Sequence, residues 1–249
     1  MSEGEQRHDR EIEFFDRFAA EHGEYDVLAD GAYARLTGLF EERVRPRRGE
    51  RCIDLGCGTG AFTAHLARFD LDRTGMDISP MSVQRANEHS NGARFVVGDI
   101  TKTDLPEASF DIIVYSGVLH HFASRASREQ VLQEGFRLLS KGGRLFAFDP
   151  NAHSPSMWLY RDPRSPLFSS KGKTDNEVLL SRRELQQELS AAGFSKIDVR
   201  GVSGIEFRYV ESSAARIVLP AYNFYERLMR HSPFESRLGT FVVSCAEKV

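Results

Sequence analysis

The sequence predicts an α/β protein built on a parallel β-sheet, and three observations predict it. Short β-rich runs alternate with helical patterns between residues 51 and 149, and the first run ends in a glycine-rich turn. The residues AVILMFWYC make up 41% of the 249-residue chain, enough for a full core. Alternating strands and helices form right-handed β-α-β units with helices on both faces of the sheet. In such sheets, ligands bind beyond the carboxyl ends of the strands.

The individual elements are placed by apolar runs, caps and glycine stops. Ser79 and Pro80 open one helix, because serine caps the first turn and proline lacks the N–H that this turn leaves unpaired. The cation and glycines of Lys141-Gly142-Gly143 end another helix. The predicted strands are residues 51–55, 73–77, 94–98, 110–115, 144–149, 196–202 and 240–246. Helices are predicted within 9–44, over 60–69, from 79 onward, and over 127–139, 181–192 and 212–230, and the Pro- and Ser-rich residues 150–173 are predicted to form a loop.

The charge balance argues against a dedicated nucleic-acid binder. The chain carries 33 Lys and Arg against 36 Asp and Glu, a formal charge of −3, whereas neutralising phosphates needs a basic surface. No apolar run approaches the roughly 18 residues of a membrane span, and the polar N-terminal residues do not resemble a signal peptide. Cys52, Cys57 and Cys245 form neither a disulfide set nor a zinc motif. These features predict a soluble, cytoplasmic protein without a membrane span.

The most informative run is Ile53-Asp54-Leu55-Gly56-Cys57-Gly58-Thr59-Gly60. Its glycines let the backbone turn sharply after a strand and come close to a ligand. A dinucleotide site has the spacing G-x-G-x-x-G and cradles a pyrophosphate, whereas the spacing here is G-x-G-x-G and Asp54 adds a negative charge at the mouth of the loop. That charge disfavours a pyrophosphate and favours an ammonium or sulfonium group.

Two further acids end neighbouring strands. Asp77 ends the second strand, 21 residues after Gly56, where a carboxylate can accept both hydroxyl protons of a ribose. Asp99 follows the third strand, where it is placed to accept from an exocyclic amine such as that of adenine, with Ile100 against the ring face. Together these residues predict a site for a nucleoside that carries a cationic tail.

With these residues, the chain resembles the class I S-adenosylmethionine-dependent methyltransferases. The resemblance covers about residues 50–150 and rests on five landmarks in the right order. They are Ile53 to Gly60, Gly75-Met76-Asp77-Ile78-Ser79, Gly98-Asp99, Phe110-Asp111-Ile112-Ile113 and Leu138-Leu139-Ser140-Lys141-Gly142-Gly143. In addition, Leu119-His120-His121-Phe122 is typical of the small-molecule branch, which includes quinone-type methyltransferases.

The resemblance implies a Rossmann-like, doubly wound sheet of seven strands in the order 3-2-1-4-5-7-6 with the last strand antiparallel. It implies a single domain over residues 1–249, with an N-terminal helical cap (1–48), a cofactor-binding core (49–150) and a substrate-side part with a helical insertion as cap (151–249). The implied cofactor is S-adenosyl-L-methionine. The expected cofactor-binding residues are Tyr25, Asp54, Gly56, Gly58, Asp77, Ile78, Met81, Asp99, Ile100 and Ser116.

Methyl transfer from a sulfonium is an in-line displacement whose acceleration comes mostly from alignment, so no metal site is predicted. A base is needed only if the acceptor carries a proton, as a hydroxyl does. His120, His121 and His153 are the candidates, because histidine changes charge near neutral pH and these residues follow the fourth and fifth strands. The leading hypothesis is therefore methylation of a small-molecule acceptor, with a hydroxyl oxygen as the favoured atom.

Three alternatives stay open on the sequence. A binding module for S-adenosylmethionine without transferase activity would carry the same cofactor motifs, and a methyltransferase acting on carbon or nitrogen would share the same core. A nicotinamide oxidoreductase is favoured least, because of the glycine spacing. The run Ser116-Gly117-Val118-Leu119 stands where methyltransferases of amide or base nitrogens often carry N-P-P-Y, which disfavours nucleic-acid bases as acceptors.

Overall fold

The computed structural model describes residues 12–17, 19–20, 28–165, 168, 174, 177–208, 210 and 213–249. Its strands are β1 (Arg51–Leu55), β2 (Asp72–Asp77), β3 (Arg94–Val97), β4 (Phe110–Ser116), β5 (Leu139–Pro150), β6 (Ser195–Val202) and β7 (Phe241–Glu247). They form one sheet in the order β3-β2-β1-β4-β5-β7-β6. β7 is antiparallel to both of its neighbours, and the other pairs are parallel. The predicted fold, including the strand order and the antiparallel last strand, is confirmed.

Helices cover both faces of this sheet. They are α1 (Asp30–Val44), α2 (Ala61–His65), α3 (Pro80–Glu88), α4 (Arg125–Leu138), α5 (Pro155–Arg161), α6 (Arg182–Ala191), α7 (Ser213–Met229) and α8 (Glu235–Leu238), and residues 12–17 and 19–20 are also helical. The predicted cap of α3 is confirmed, since the Ser79 hydroxyl accepts from the Ser82 N–H at 3.0 Å and Pro80 is the first residue of the helix. Within the described ranges, no helix is long and apolar enough to cross a bilayer.

The central strand β4 shows how the two helical layers are held. Successive side chains of a strand point to opposite faces of the sheet. Ile113 and Tyr115 pack in one core with residues of α4 and α6, whereas Ile112 and Val114 pack in a second core with residues of α1 and α2. All four side chains are fully buried. A parallel strand covered on both faces is apolar throughout, which explains the unbroken run Ile112 to Tyr115.

The start of β5 differs from the sequence prediction. α4 ends at Leu138 and the strand begins at Leu139, five residues before the predicted start at residue 144. Leu139 pairs with Phe110, and the register then shifts. The glycines do not act as a helix stop, because the helix has ended before them. Instead, Gly142 lies within the strand, where its N–H donates to the carbonyl of Lys248 at 2.7 Å.

The predicted loop after β5 contains a helix, α5. Its cap has the same design as that of α3: the Ser154 hydroxyl accepts from the Met157 N–H, and Pro155 is the first helical residue. Serine followed by proline is a helix start as well as a loop signal, so composition alone predicted the wrong structure for residues 155–161.

The segment that follows β6 joins the C-terminal part of the chain to its N-terminal part. Phe207 forms an isolated antiparallel bridge with Leu28, and the Ala29 N–H donates to the Glu206 carbonyl at 2.9 Å. The ring of Phe207 also lies 6.2 Å from that of Phe241, measured between centroids. The segment after β6 therefore links the residues just before α1 to the start of β7.

Candidate functional site

A cleft lies at the carboxyl ends of the parallel strands. It is lined by residues 56–59 after β1, 77–78 at the end of β2, 99–101 after β3 and 116–118 at the end of β4. Ligands bind at this position in open α/β sheets, so the topology brings together the residues that the sequence singled out.

The glycine turn after β1 brings main chain to the edge of the cleft. Gly56 has φ 81°, a left-handed conformation, and a Cβ atom added there would lie 2.2 Å from Cγ2 of Val118. Gly58 is also left-handed, with φ 55°. The N–H groups of Gly56 and Cys57 donate to the Met76 carbonyl at 2.8 and 3.1 Å, which fixes the turn against β2. Only glycine fits at position 56, and the space that a Cβ would fill borders the cleft.

Asp77 lies in the cleft wall with its carboxylate held by backbone amides. One oxygen, Oδ2, accepts from the Gly58 N–H at 2.7 Å, and Oδ1 accepts from the Ser79 N–H at 3.0 Å. Burial raises the pKa of this carboxyl, and these N–H donors oppose the rise. The glycine turn and the end of β2 are thus coupled through one acidic side chain.

Asp54 lies one layer beneath the cleft. Its carboxylate is 1% exposed and accepts from the hydroxyls of Thr63 and Ser116 at 2.7 and 2.8 Å. Burial raises its pKa to about 6. The sequence predicted this charge at the mouth of the loop, whereas the structure shows that Ser116 lines the cleft and Asp54 reaches it through the serine hydroxyl.

The remaining expected cofactor residues differ in where they lie. Ile78, Asp99 and Ile100 line the cleft, and Oδ1 of Asp99 accepts from the Thr101 N–H at 2.8 Å. Met81 is not among the residues that line the cleft. Tyr25 lies outside the described residues.

A contact that the sequence did not predict holds the N-terminal helical residues against this region. The Asp16 carboxylate accepts from the Ser79 hydroxyl at 2.5 Å and from the Met81 N–H at 3.1 Å. A carboxylate is stabilised at the first turn of a helix, and α3 begins here. Asp16 therefore docks its own helix beside Asp77.

His120 and His121 lie in a short 3₁₀ turn after β4, and both line the cleft. Nδ1 of His120 is 2.9 Å from Oδ1 of Asp149, and the backbone N–H of His120 donates to the same oxygen at 3.0 Å. Asp149 is 1% exposed, and burial raises its pKa to about 8. Nδ1 of His121 is 3.2 Å from the Thr174 hydroxyl. The structure therefore joins a histidine at the end of β4 to a carboxyl group at the end of β5.

His153 is not brought to the cleft. It is exposed, and its N–H donates to Oδ1 of Asn151 at 3.0 Å, within the turn that precedes α5. Of the three candidate histidines, the structure brings two together.

Glu177 adds a second carboxylate near the two histidines. Its Oε2 accepts from Nη1 of Arg161 at 2.5 Å, and both residues line the cleft. Burial opposes the charge of Glu177, but attraction to Arg161, His120 and His121 outweighs it and lowers the pKa. Ligand-type atoms of His120, His121 and Glu177 lie within 4.8 Å of one another, a spacing that could admit a metal ion. Arg161 also pairs with Glu177, so a positive charge already faces this carboxylate.

The part of the cleft around this charged cluster, on the side away from the glycine turn, is apolar. It consists of side chains from the N-terminal helical residues, β5, α5, the segment after β6, and β7, namely Phe15, Phe148, Met157, Phe207 and Phe241. The cleft therefore has a polar side at the strand ends and an apolar side with one charged cluster.

The functional residues that sequence reasoning missed differ in the local signal they carry. Asp149 ends the fifth predicted strand, and its pairing with His120 links residues 29 apart. Glu177 and Asp16 carry no local motif, because Glu177 meets Arg161 16 positions away and Asp16 meets Ser79 63 positions away.

Comparisons with known proteins agree with this geometry. A family model described as a methyltransferase domain matches residues 53–147. An uncharacterised methyltransferase of Synechocystis sp. is 28% identical over 192 residues, which are 77% of this chain and 89% of that protein. The 27-O-demethylrifamycin SV methyltransferase of Amycolatopsis mediterranei is 28% identical over 233 residues, 88% of this chain and 82% of that protein.

A solved structure shares the fold. It is a SAM-dependent methyltransferase, possibly a histamine N-methyltransferase, from Thermotoga maritima, with a TM-score of 0.62 and 20% identity over 96% of this chain and 99% of that one. The sheet order, the glycine turn and these matches define the chain as a class I S-adenosylmethionine-dependent methyltransferase. The matching family model runs from β1 into β5. Its cofactor is S-adenosylmethionine, and a glycine cradle beside acidic acceptors fits that group.

Proposed function

We propose that this methyltransferase acts on a hydroxyl oxygen of a small-molecule acceptor, with His120 as the proton acceptor. The observation that carries the proposal is the pairing of His120 with the buried Asp149 at the end of the cleft where Ser116 and Gly117 lie. A histidine backed by a carboxylate can take a proton through its second ring nitrogen.

The strand ends would hold the cofactor. Gly56 and Gly58 border its methionine portion, and Asp77 with Ile78 holds the ribose. Asp99 with Ile100 holds the adenine, as the family resemblance implies. Ser116, backed by Asp54, lies near the methyl group. When bound, S-adenosylmethionine supplies an electrophilic methyl group on a sulfonium for in-line displacement.

Asp149 determines how His120 can act. Its carboxylate lies at Nδ1 of the ring, which orients the imidazole and makes Nε2 the nitrogen that receives the acceptor proton. The positive charge formed on the ring is then stabilised by Asp149. His121 lies 4.1 Å from His120 between ring centroids, beside Glu177, and we assign it to positioning the acceptor. His153 remains the weakest of the three candidates.

Two observations support a small, partly apolar acceptor with a hydroxyl group. The acceptor side of the cleft has aromatic walls and a single polar end, formed by His120, His121, Arg161 and Glu177. One relative is named for a demethylated rifamycin methylated at oxygen. A polar end of this kind orients a hydroxyl, while the aromatic walls bury an apolar body.

The proposal is tested by following the methyl group. The protein is incubated with methyl-labelled S-adenosylmethionine and a panel of phenols, apolar alcohols and amines, and the products are identified by mass spectrometry. We expect label as a methyl ether on hydroxyl compounds, with a rate that falls in His120→Gln. Label on amines or carbon would overturn the choice of oxygen. Calorimetric cofactor binding without transfer to the panel or to a metabolite extract would favour a binding module instead.

A further inference from the structure

Glu177 places a carboxylate at the acceptor end of the cleft, beside the two histidines. Its side chain is 8% exposed and lines the cleft. Burial opposes the charge, but attraction to Arg161 and to the histidines outweighs burial and keeps the pKa of Glu177 below its usual range. The carboxylate is therefore ionised near neutral pH, so it accepts hydrogen bonds and donates none.

The segment that carries Glu177 is fixed against the histidines by hydrogen bonds. The Val178 N–H donates to the His120 carbonyl at 2.9 Å, and the Thr174 N–H donates to Oε1 of Glu177 at 3.0 Å. The Thr174 hydroxyl also lies 3.2 Å from Nδ1 of His121. These contacts hold the carboxylate close to both imidazoles, and ligand-type atoms of the three side chains lie within 4.8 Å of one another.

The Glu177 carboxylate keeps capacity for a further donor. Its two oxygens offer about four acceptor sites. Nη1 of Arg161 takes one site on Oε2, and the Thr174 N–H takes one on Oε1. A donor on a bound acceptor molecule can therefore reach the carboxylate without displacing either protein donor.

The charge of the Arg161–Glu177 pair determines which donor fits. The two charges balance each other, so a cationic group would meet the guanidinium and an anionic group would meet the carboxylate. A neutral hydroxyl avoids both repulsions and donates to Glu177. Hydrogen bonds to an ionised group are roughly twice as strong as those between neutral groups, so this contact favours molecules that carry such a hydroxyl.

The spacing between Glu177 and His120 determines where that hydroxyl sits on the molecule. A hydroxyl oxygen lies about 2.8 Å from the atom that accepts its proton. A ring nitrogen of His120 and an oxygen of Glu177 lie within 4.8 Å of each other, so hydroxyls on adjacent carbons can reach both. Hydroxyls on opposite sides of a ring point away from each other and fit this spacing poorly.

We propose that Glu177 is a specificity-determining residue and that the acceptor is a vicinal diol, a molecule with hydroxyls on adjacent carbons. The inference rests on the proposed methylation of a hydroxyl oxygen. The reacting oxygen bonds to the methyl carbon as the carbon–sulfur bond breaks, and its proton passes to His120. The neighbouring hydroxyl keeps its proton, donates to Glu177 and orients the molecule.

Calorimetry with S-adenosylhomocysteine bound tests the proposal without any methyl transfer. One set of probes is a catechol, a resorcinol, a phenol and an ortho-methoxyphenol, all with the same tert-butyl group. The other set is the cis vicinal diol of cyclohexane and cyclohexanol. In at least one set, we expect the vicinal diol to bind at least about tenfold more tightly than the other members, because it alone donates to Glu177 beside His120. The set that shows the preference identifies the diol as aromatic or aliphatic.

Glu177→Gln and Glu177→Asp should each reduce this preference to about threefold or less. The Asp variant keeps a charge beside Arg161 but withdraws the carboxylate by one methylene, which separates the hydrogen bond from the ion pair. The matched control is Glu50→Gln, which should keep the wild-type preference. Glu50 also accepts from an arginine, Arg144 at 2.6 Å, and from a backbone N–H three residues earlier, that of Arg47 at 2.7 Å. It precedes β1, at the end of the sheet opposite the cleft.

Equal binding of the diol and its counterparts by the wild type, or a preference that both Glu177 variants retain, would overturn the inference. Methyl transfer that stops with EDTA and returns with Mg²⁺ or Zn²⁺ would make Glu177 a metal ligand and would also overturn it. Labelled transfer to the same compounds keeps the two proposals apart. If no hydroxyl compound is labelled while the diol preference depends on Glu177, hydroxyl methylation fails and the diol site stands. If the phenol and the catechol are labelled with equal kcat/KM, methylation stands and the diol inference fails.

Discussion

The two sides of the cleft are built in different ways. The cofactor side consists of strand ends and the turns directly after them, all within residues 54–118, and the register of the sheet sets their positions. The acceptor side is assembled from side chains such as Phe15, Arg161, Glu177 and Phe207, which come from four separate segments. The comparison teaches that a ligand shared by a family can be recognised by local pattern, whereas the particular acceptor is recognised by residues that only the folded chain brings together.

The largest expected effect is on the cofactor side, at Asp77. In Asp77→Ala, S-adenosylmethionine should bind about 100-fold more weakly by calorimetry, since two hydrogen bonds to a charged carboxylate contribute on the order of 3 kcal/mol. The control is Asp72→Ala at the exposed start of the same strand, where the aspartate forms a surface ion pair with Arg94. Asp77→Asn keeps an acceptor for the backbone and separates binding from folding. A change of less than about threefold would contradict a cofactor site built on strand ends.

The second-largest expected effect is a loss of kcat at His120, which lies between the cofactor side and the acceptor side of the cleft. In His120→Gln, kcat should fall by about 100-fold or more while the cofactor dissociation constant stays within about twofold, because the residue acts on the acceptor proton. The measurement is steady-state transfer of labelled methyl groups with an acceptor found in the panel. His231→Gln, at an exposed histidine after α7, is the matched control. Equal losses in kcat and cofactor affinity would assign His120 to cofactor binding instead.

A pH profile sharpens the same point. Because burial raises the pKa of Asp149 to about 8, the His120–Asp149 pair keeps an additional proton below that pH and loses it above. Since the pair can act as a base only after losing this proton, kcat/KM should rise with pH to a plateau, with a midpoint near 8. In Asp149→Asn the midpoint should move down toward about 6.5, the usual value of a histidine, and the plateau should fall about tenfold. An unchanged midpoint in this variant would show that another group takes the proton.

The smallest effect is expected where the N-terminal helical residues contact the cofactor side. Asp16→Ala removes the acceptor for the Ser79 hydroxyl and the Met81 N–H, so cofactor affinity should weaken about fivefold, the value of one helix-capping interaction. Glu13→Ala changes an exposed acid of the same helical stretch and should have no effect. A loss of cofactor affinity as large as that in Asp77→Ala would contradict the prediction that the strand ends contribute more to cofactor binding than the N-terminal helical residues do.

The same difference explains which parts could be predicted from the sequence. The sheet order follows from the family resemblance, and Gly56, Asp77 and Asp99 follow from their places at strand ends, because a parallel sheet brings these ends to one edge. The depth of Asp54 could not be predicted, since it depends on Thr63 and Ser116 reaching the same carboxylate.

Residues of the acceptor side escaped prediction for a physical reason. Glu177 meets His120 and Arg161 only because the chain returns to the cleft after α5, and no periodicity records that return. The short helix α5 was missed because its Ser-Pro start has the composition of a loop. Local rules therefore describe elements and turns, while contacts between distant segments require the folded structure.

The position of β7 bears on how the sheet is completed. Among the described strands, β6 pairs with β7 alone, and β7 also covers the edge of β5, yet β7 comes after both of these strands in the sequence. Until β7 has been synthesised, the nascent polypeptide exposes two unsatisfied strand borders, which are sites for chaperone contact and for misassociation. A premature stop before Phe241 would thus leave the half-finished product prone to aggregation, even with every cofactor residue present.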